Sequence, residues 1–147
     1  MKDKTIDYVL RTTWLSVQKM YNEEASKFES TMATGFTLLS IDPEKGTAST
    51  SLGPKMGMEA TSLSRILKTM EKKGLIERRP NPDDGRGVII FLTDFGRENR
   101  ALSKDHVLTF NEAIRKKVTE EQLNHFYEVG EIINELVSNK KIFNQND

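Results

Sequence analysis

Between Thr61 and Lys68 the chain sets three short hydroxyl side chains, Thr61, Ser62 and Ser64, beside the guanidinium of Arg65 and the ammonium of Lys68, with no carboxylate among them. Groups of these types act by hydrogen bonding and charge. Hydroxyls at a helix start reach base edges or phosphates, arginine bonds guanine through two parallel hydrogen bonds, and lysine serves a phosphate as a point charge. The plainer reading is that Ser and Thr cap and solvate a helix and that Arg65 forms a structural ion pair. A further basic position, Arg86, stands between Gly85 and Gly87. With so little bulk beside it, a guanidinium can enter a narrow minor groove. Arg78 and Arg79 alternate on an extended run and so face opposite ways, one expected to approach phosphate and the other to pair with an acidic neighbour.

Covalent and metal chemistry find no support. Cysteine is absent, which excludes a thiol nucleophile, a disulfide, a thiolate metal site and a thiol redox switch. There is no glycine-rich phosphate loop and no His-Glu metal motif, and His106 and His125 are a thin ligand set. The chain is expected to be no enzyme and to hold no cofactor or metal.

The polar residues need a scaffold, and apolar spacing supplies one. From Met58 to Gly74, the residues Leu63, Ile66, Leu67 and Met70 fall on one face of a helix, which Gly74 stops with Lys72 and Lys73 in its last turn. Glu59 is a weaker N-cap than Asp, so a start at Thr61 is the alternative. Residues 75–80 and 88–93 then read as the strands of a hairpin around a polar loop, Asn81 to Gly87, which puts Arg86 at its tip.

Upstream, Ile6, Val9, Leu10, Trp14, Val17, Tyr21, Ala25 and Phe28 recur at helical steps, predicting a long amphipathic helix from Thr5 to Phe28. A short helix opening at Thr31 or Thr34 stops at Asp42-Pro43, and residues 47–49 form a brief β pairing. A third helix starts near Ser49 or Thr50 and ends at Gly57, with Pro54 close to its first turn. Downstream, Thr93 caps a helix from Asp94 to Lys117. Thr119-Glu120-Glu121-Gln122 is a capping box opening a last helix to Asn139, which is expected to bury Leu123, Phe126, Ile133, Leu136 and Val137. The polar end, residues 140–147, is expected to fray.

The fold class that follows is mainly α with a small β-wing: a winged helix-turn-helix flanked by long dimerisation helices. Residues 1–147 form a single domain, with the winged helix-turn-helix at 31–93 between helices at 5–30 and 94–139. Those flanks carry more apolar surface than one small core can cover, which implies a second copy of the chain.

Composition agrees without deciding. The 147 residues carry 22 Lys and Arg against 22 Asp and Glu, yet residues 55–93 alone have eight against five, so the basic surplus lies in the stretch described above. The charged start Met1-Lys2-Asp3-Lys4, followed by an amphipathic pattern, is not expected to be a signal peptide, and no window has the roughly 18 apolar residues of a membrane span. A cytoplasmic protein without membrane contact is expected.

At these residues the chain resembles the MarR family of bacterial transcription factors. The likeness is carried by Met56-Gly57-Met58-Glu59 before Thr61-Ser62-Leu63-Ser64-Arg65, by Glu71-Lys72-Lys73-Gly74-Leu75-Ile76-Glu77-Arg78, and above all by the wing. There an Asp-x-Arg pattern, Asp84 to Arg86, is followed by a β run ending in Leu92-Thr93-Asp94-Phe95-Gly96. The resemblance implies an obligate homodimer, built by the first and last two helices, that sets two winged helices into successive major grooves of double-stranded DNA at a pseudo-palindromic operator. It implies a repressor released by a small aromatic or lipophilic ligand. Asp84 resembles the family's aspartate that orients wing arginines; its plainer reading is turn formation. Trp14, Met20, Tyr21, Phe36 and Phe110 are candidates to line an effector pocket between the dimer helices and the winged helix, against their plainer reading as core. The competing function is a winged-helix protein-interaction module without specific DNA binding.

Overall fold

The computed structural model describes residues 4–144, and of Arg86, inside a strand, the backbone alone. The expectations for the first three residues and for the polar end beyond residue 144 lie outside the described residues. Within them the order is α1 (Ile6–Ser26), α2 (Met32–Ser40), β1 (Thr47–Ala48), α3 (Ser49–Met56), α4 (Ala60–Lys72), β2 (Ile76–Asn81), β3 (Asp84–Leu92), α5 (Asp94–Arg115) and α6 (Glu120–Ser138). No helix among the described residues is long and apolar enough to cross a membrane.

Threonines open most of the helices. Thr5 accepts from the Tyr8 amide at 3.3 Å and Thr31 from the Thr34 amide at 3.2 Å, while Thr119 and Gln122 complete the expected capping box at 3.1 and 2.8 Å. Each such bond satisfies an amide that a helix start leaves without a partner, and losing one typically costs about 1 kcal/mol. Thr93 opens α5 by accepting from the Gly96 amide at 3.0 Å, and its own hydroxyl donates to the Gly74 carbonyl at 2.5 Å.

Two starts differ from expectation. Helix α4 begins at Ala60, between the alternatives read from sequence, and its N-cap Glu59 makes no side-chain cap bond. Pro54 falls in the second turn of α3, not near the first. The helix ends two residues later. There Gly57, at φ 65°, donates to the Pro54 carbonyl and Met58 to the Gly53 carbonyl at 2.9 Å.

The chain forms two compact units, Met1–Val107 and Leu108–Asp147. The core of the first is Leu38 and Ile41 from the α2 end, Leu52 of α3, Leu63, Leu67 and Met70 of α4, and Leu75, Ile76, Ile90 and Leu92 of the hairpin and its approach. Its sheet has the order β1-β3-β2. Strand β1 pairs antiparallel with β3 through Thr47 opposite Ile90, and β2 pairs with β3 from Ile76 opposite Leu92 to Pro80 opposite Val88. Helix α1, by contrast, has no buried residue.

The second unit joins the end of α5 to α6, with Arg115 bonded to Glu120 at 3.1 Å. Of the residues expected to be buried on α6, only Leu123 is; Phe126 is 67% exposed and Val137 58%. A helix hides apolar side chains only where another element lies over them, and within its own unit α6 has only the end of α5.

Candidate nucleic-acid interface

Helix α4 sorts its residues by side. Leu63, Leu67 and Met70 enter the core, whereas Thr61, Ser62, Ser64, Arg65 and Lys68 are all exposed. Among the described residues neither Arg65 nor Lys68 makes an ion pair, so the structural-pair reading of Arg65 has no carboxylate to rest on. The first backbone bond of the helix runs from the Leu63 amide to the Glu59 carbonyl at 3.1 Å. The amides of Ala60, Thr61 and Ser62 therefore end the helix without a side-chain cap, a setting that suits a phosphate oxygen, although the exposed Glu59 carboxylate opposes it by charge.

Close backbone approaches hold this helix in place. A Cβ on Gly53 of α3 would stand 3.2 Å from the Met58 carbonyl. At the other end Gly74, at φ 75°, turns the chain, and the Leu75 amide bonds the Met70 carbonyl at 2.9 Å. The Leu75 carbonyl accepts from Thr93 and lies so near Gly96 that a Cβ there would be 2.0 Å from it; only glycine fits.

The wing departs from the sequence reading. Its turn is the two residues Pro82 and Asp83, with the Asn81 side chain accepting from the Asp83 amide at 3.0 Å, and residues 84–87, expected in the loop, belong to β3. Pro80 pairs with Val88 but Asn81 with Asp84, so Gly85, Arg86 and Gly87 bulge out of β3 beside the tip. Turn-forming residue types mark the segment as a loop; the cross-strand pairing that decides otherwise is not local. Asp84 lies within reach of Gly87, its carboxylate 3.2 Å from where a Cβ would be. The side chain of Arg86 is outside the described residues. Arg78 and Arg79 both pair with carboxylates, where one was expected to be left for phosphate: Arg78 with Glu71 at 3.2 Å, and Arg79 with Glu77 while its guanidinium lies 4.3 Å over the Phe91 ring.

Away from this surface, a small open cleft with only about 40 Å³ of cavity volume lies between the end of α1, α2 and the first part of α5. Of the five pocket candidates, Tyr21 and Phe36 line it, edge to face with centroids 5.6 Å apart. Trp14, half exposed, and Met20 lie on α1 outside its lining, and Phe110 belongs to the second unit. Phe28, Met32, Leu102 and His106 complete walls that sequence spacing does not single out, because they meet only through tertiary packing. The rim residue Ser30 follows Glu29, whose carbonyl accepts from the Lys73 ammonium at 2.9 Å, tying the rim to the end of α4.

Residues 31–88 match the model of the MarR family. The chain is 34% identical over 71 residues to the uncharacterized HTH-type transcriptional regulator YdgJ of Bacillus subtilis, a stretch covering 48% of this chain and 43% of that protein. The chain therefore spans less than half the length of that relative. In fold it is similar to MepR of S. aureus, solved in complex with DNA (TM-score 0.81, 19% identity, 91% of this chain and 99% of that one). It is likewise similar to PcaV of Streptomyces coelicolor, solved with its natural ligand (TM-score 0.79, 16% identity, 91% and 94%).

Proposed function

We propose that the chain, whose residues 31–88 match the MarR family model, is a regulator of that family and not an enzyme: a homodimeric, sequence-specific DNA-binding repressor released from its operator by a small aromatic or lipophilic effector. The observation that carries this reading is the outward row of Thr61, Ser62, Ser64, Arg65 and Lys68 on a helix whose opposite side is locked into the core. Set in a major groove, α4 offers Arg65 to a guanine edge, Lys68 to a phosphate and the hydroxyls to either. The wing brings Arg86 toward the adjacent minor groove, with Asp84 supporting the bulge that carries it.

Dimerisation is supported by the apolar side chains that a single chain leaves bare, among them Ile6, Trp14 and Leu15 on α1 and Phe126, Val129 and Val137 on α6. Two reading heads then require half-sites about one helical turn apart, roughly 10 base pairs. Effector release is supported by the cleft and by its rim's bond to the recognition helix.

The test is a titration of the chain on a labelled duplex taken from its own upstream DNA and carrying an inverted repeat, beside a random duplex, across a series of salt concentrations. Specific binding whose logarithm falls with log salt by about 0.9 per phosphate contact is expected. A flat salt response, or no binding at low salt, favours the protein-interaction module and removes the DNA reading.

A further inference from the structure

Thr93 joins the end of α4 to the start of α5 through its own backbone and side chain. Its amide donates to the Leu75 carbonyl at 3.1 Å, its hydroxyl donates to the Gly74 carbonyl at 2.5 Å, and the same oxygen accepts from the Gly96 amide at 3.0 Å. Gly74 and Leu75 are the residues that carry the chain away from α4, and the Leu75 amide returns to the Met70 carbonyl of that helix at 2.9 Å. The hydroxyl therefore ties the first turn of α5 to the exit from α4.

The contacts in this junction restrain different movements. Gly96 lies so close to the Leu75 carbonyl that α5 has no room to move toward it, and Leu75, Ile76 and Leu92 are buried around that point. A close approach at one point still permits rotation about it. Bonded to the preceding carbonyl, that of Gly74, the Thr93 hydroxyl adds a second point and removes the rotation. Gly74 is exposed, so water can take the place of the hydroxyl at its carbonyl with little loss of stability. Water is not attached to α5, so it restores the hydrogen bond without the restraint.

We propose that Thr93 is a positioning residue whose hydroxyl sets the angle between α4 and α5, and through it the half-site spacing that two paired chains read on DNA. Helix α4 holds Arg65 and Lys68 outward, and α5 is among the helices expected in the dimer, so rotation between them moves each reading row relative to its twin. The spacing part rests on the proposed function; the angle does not.

Three substitutions separate this role from helix capping. Thr93→Ser keeps both donor and acceptor. Thr93→Asp keeps the cap, since a carboxylate accepts from the Gly96 amide and suits a helix start, but it has no proton for Gly74. Thr93→Val loses both. The angle is read by pulsed dipolar electron spin resonance on the full chain, with spin labels at Ser62→Cys and Lys104→Cys. Both positions are exposed and lie in the first unit, and the chain itself has no cysteine to compete for label. Labelled chain is diluted in unlabelled chain, so that only distances within one chain are read. A narrow distribution is expected with Thr93 and with Thr93→Ser, and a broadened or shifted one with Thr93→Asp and Thr93→Val.

The same substitutions, in chains without labels, are titrated on the inverted-repeat duplex and on copies with extra base pairs between the half-sites. Thr93→Ser should prefer the original spacing as the unaltered chain does. Thr93→Asp and Thr93→Val should bind that spacing about tenfold more weakly, because fewer molecules hold the competent angle, and should lose the preference for it. Unchanged distances in both variants overturn the proposal. So does a change in Thr93→Val alone, which leaves Thr93 a helix cap. Changed distances with the spacing preference kept overturn the spacing part. If the unaltered chain binds no duplex specifically, the regulator reading falls with the spacing part, and the distances still decide the angle.

Discussion

Helices α4 and α6 are both amphipathic, yet one hides its apolar side and the other displays it. On α4 the apolar residues Leu63, Leu67 and Met70 are at most 4% exposed, whereas on α6 Leu123 alone is buried and Phe126, Ile132 and Val137 stand in the open. The sequence patterns are alike; the difference lies in what covers them. Helix α4 closes a core to which α2, α3 and the sheet each contribute, while α6 shares its compact unit with only the end of α5. An apolar stripe thus identifies the face to be covered without saying whether the cover comes from the same chain.

The largest effects should separate the two helices by mechanism. Leu67→Ala is expected to cost about 2–5 kcal/mol through lost burial and the cavity left behind, at any protein concentration. Phe126→Ala removes little packing within one chain. Its effect should appear in association, as a urea midpoint that in the unaltered chain rises with protein concentration and in the variant begins to rise only at higher concentration. A folded, stable monomer at micromolar concentration, seen by sedimentation, would break the comparison and the proposed dimer together.

A smaller effect tests the polar side of α4. Arg65→Ala should cost about 1–3 kcal/mol of specific binding and relax preference at one base position per half-site, with thermal stability nearly unchanged because the side chain is exposed. Lys68→Ala should weaken all sequences alike. If Arg65→Ala leaves the ranking of operator variants as it was, Arg65 contacts phosphate.

The smallest concerns the wing. Arg86→Ala should lower the salt slope by about one unit per wing, with more affinity lost on A·T-flanked than on G·C-flanked sites. Arg86→Lys should recover part of the loss, since the ammonium is more strongly hydrated than the guanidinium. Equal losses on both flanks make Arg86 a plain phosphate contact, and no loss on either removes the wing from the account.

Local signals were readable in the sequence wherever the physics is local. The buried side of α4, the stop at Gly74, the caps at Thr31 and Thr93 and the box of Thr119 with Gln122 each depend on residues a few positions apart. The outward row on α4 followed from the same periodicity. What escaped depends on partners far along the chain. The bulge that carries Arg86 is decided by Asn81 pairing with Asp84, the cleft draws Phe28 and Leu102 together across more than seventy residues, and Lys73 finds the carbonyl of Glu29. The exposure of Phe126 escaped for another reason: periodicity reports that a face is apolar, never whose surface meets it.

The outward polar residues of α4 and the bare apolar residues of α1 and α6 sit on different helices, and under the proposed function that separation has a genetic consequence. A chain with Arg65 altered keeps its α1 and α6 faces intact and, by the proposed pairing, will join an unaltered copy. Each such hybrid has one working head for a two-headed operator. When both alleles are expressed at equal levels, random pairing leaves a minority of dimers whole, and the defective allele is dominant. An allele altered at Phe126 withdraws from partnership and is recessive.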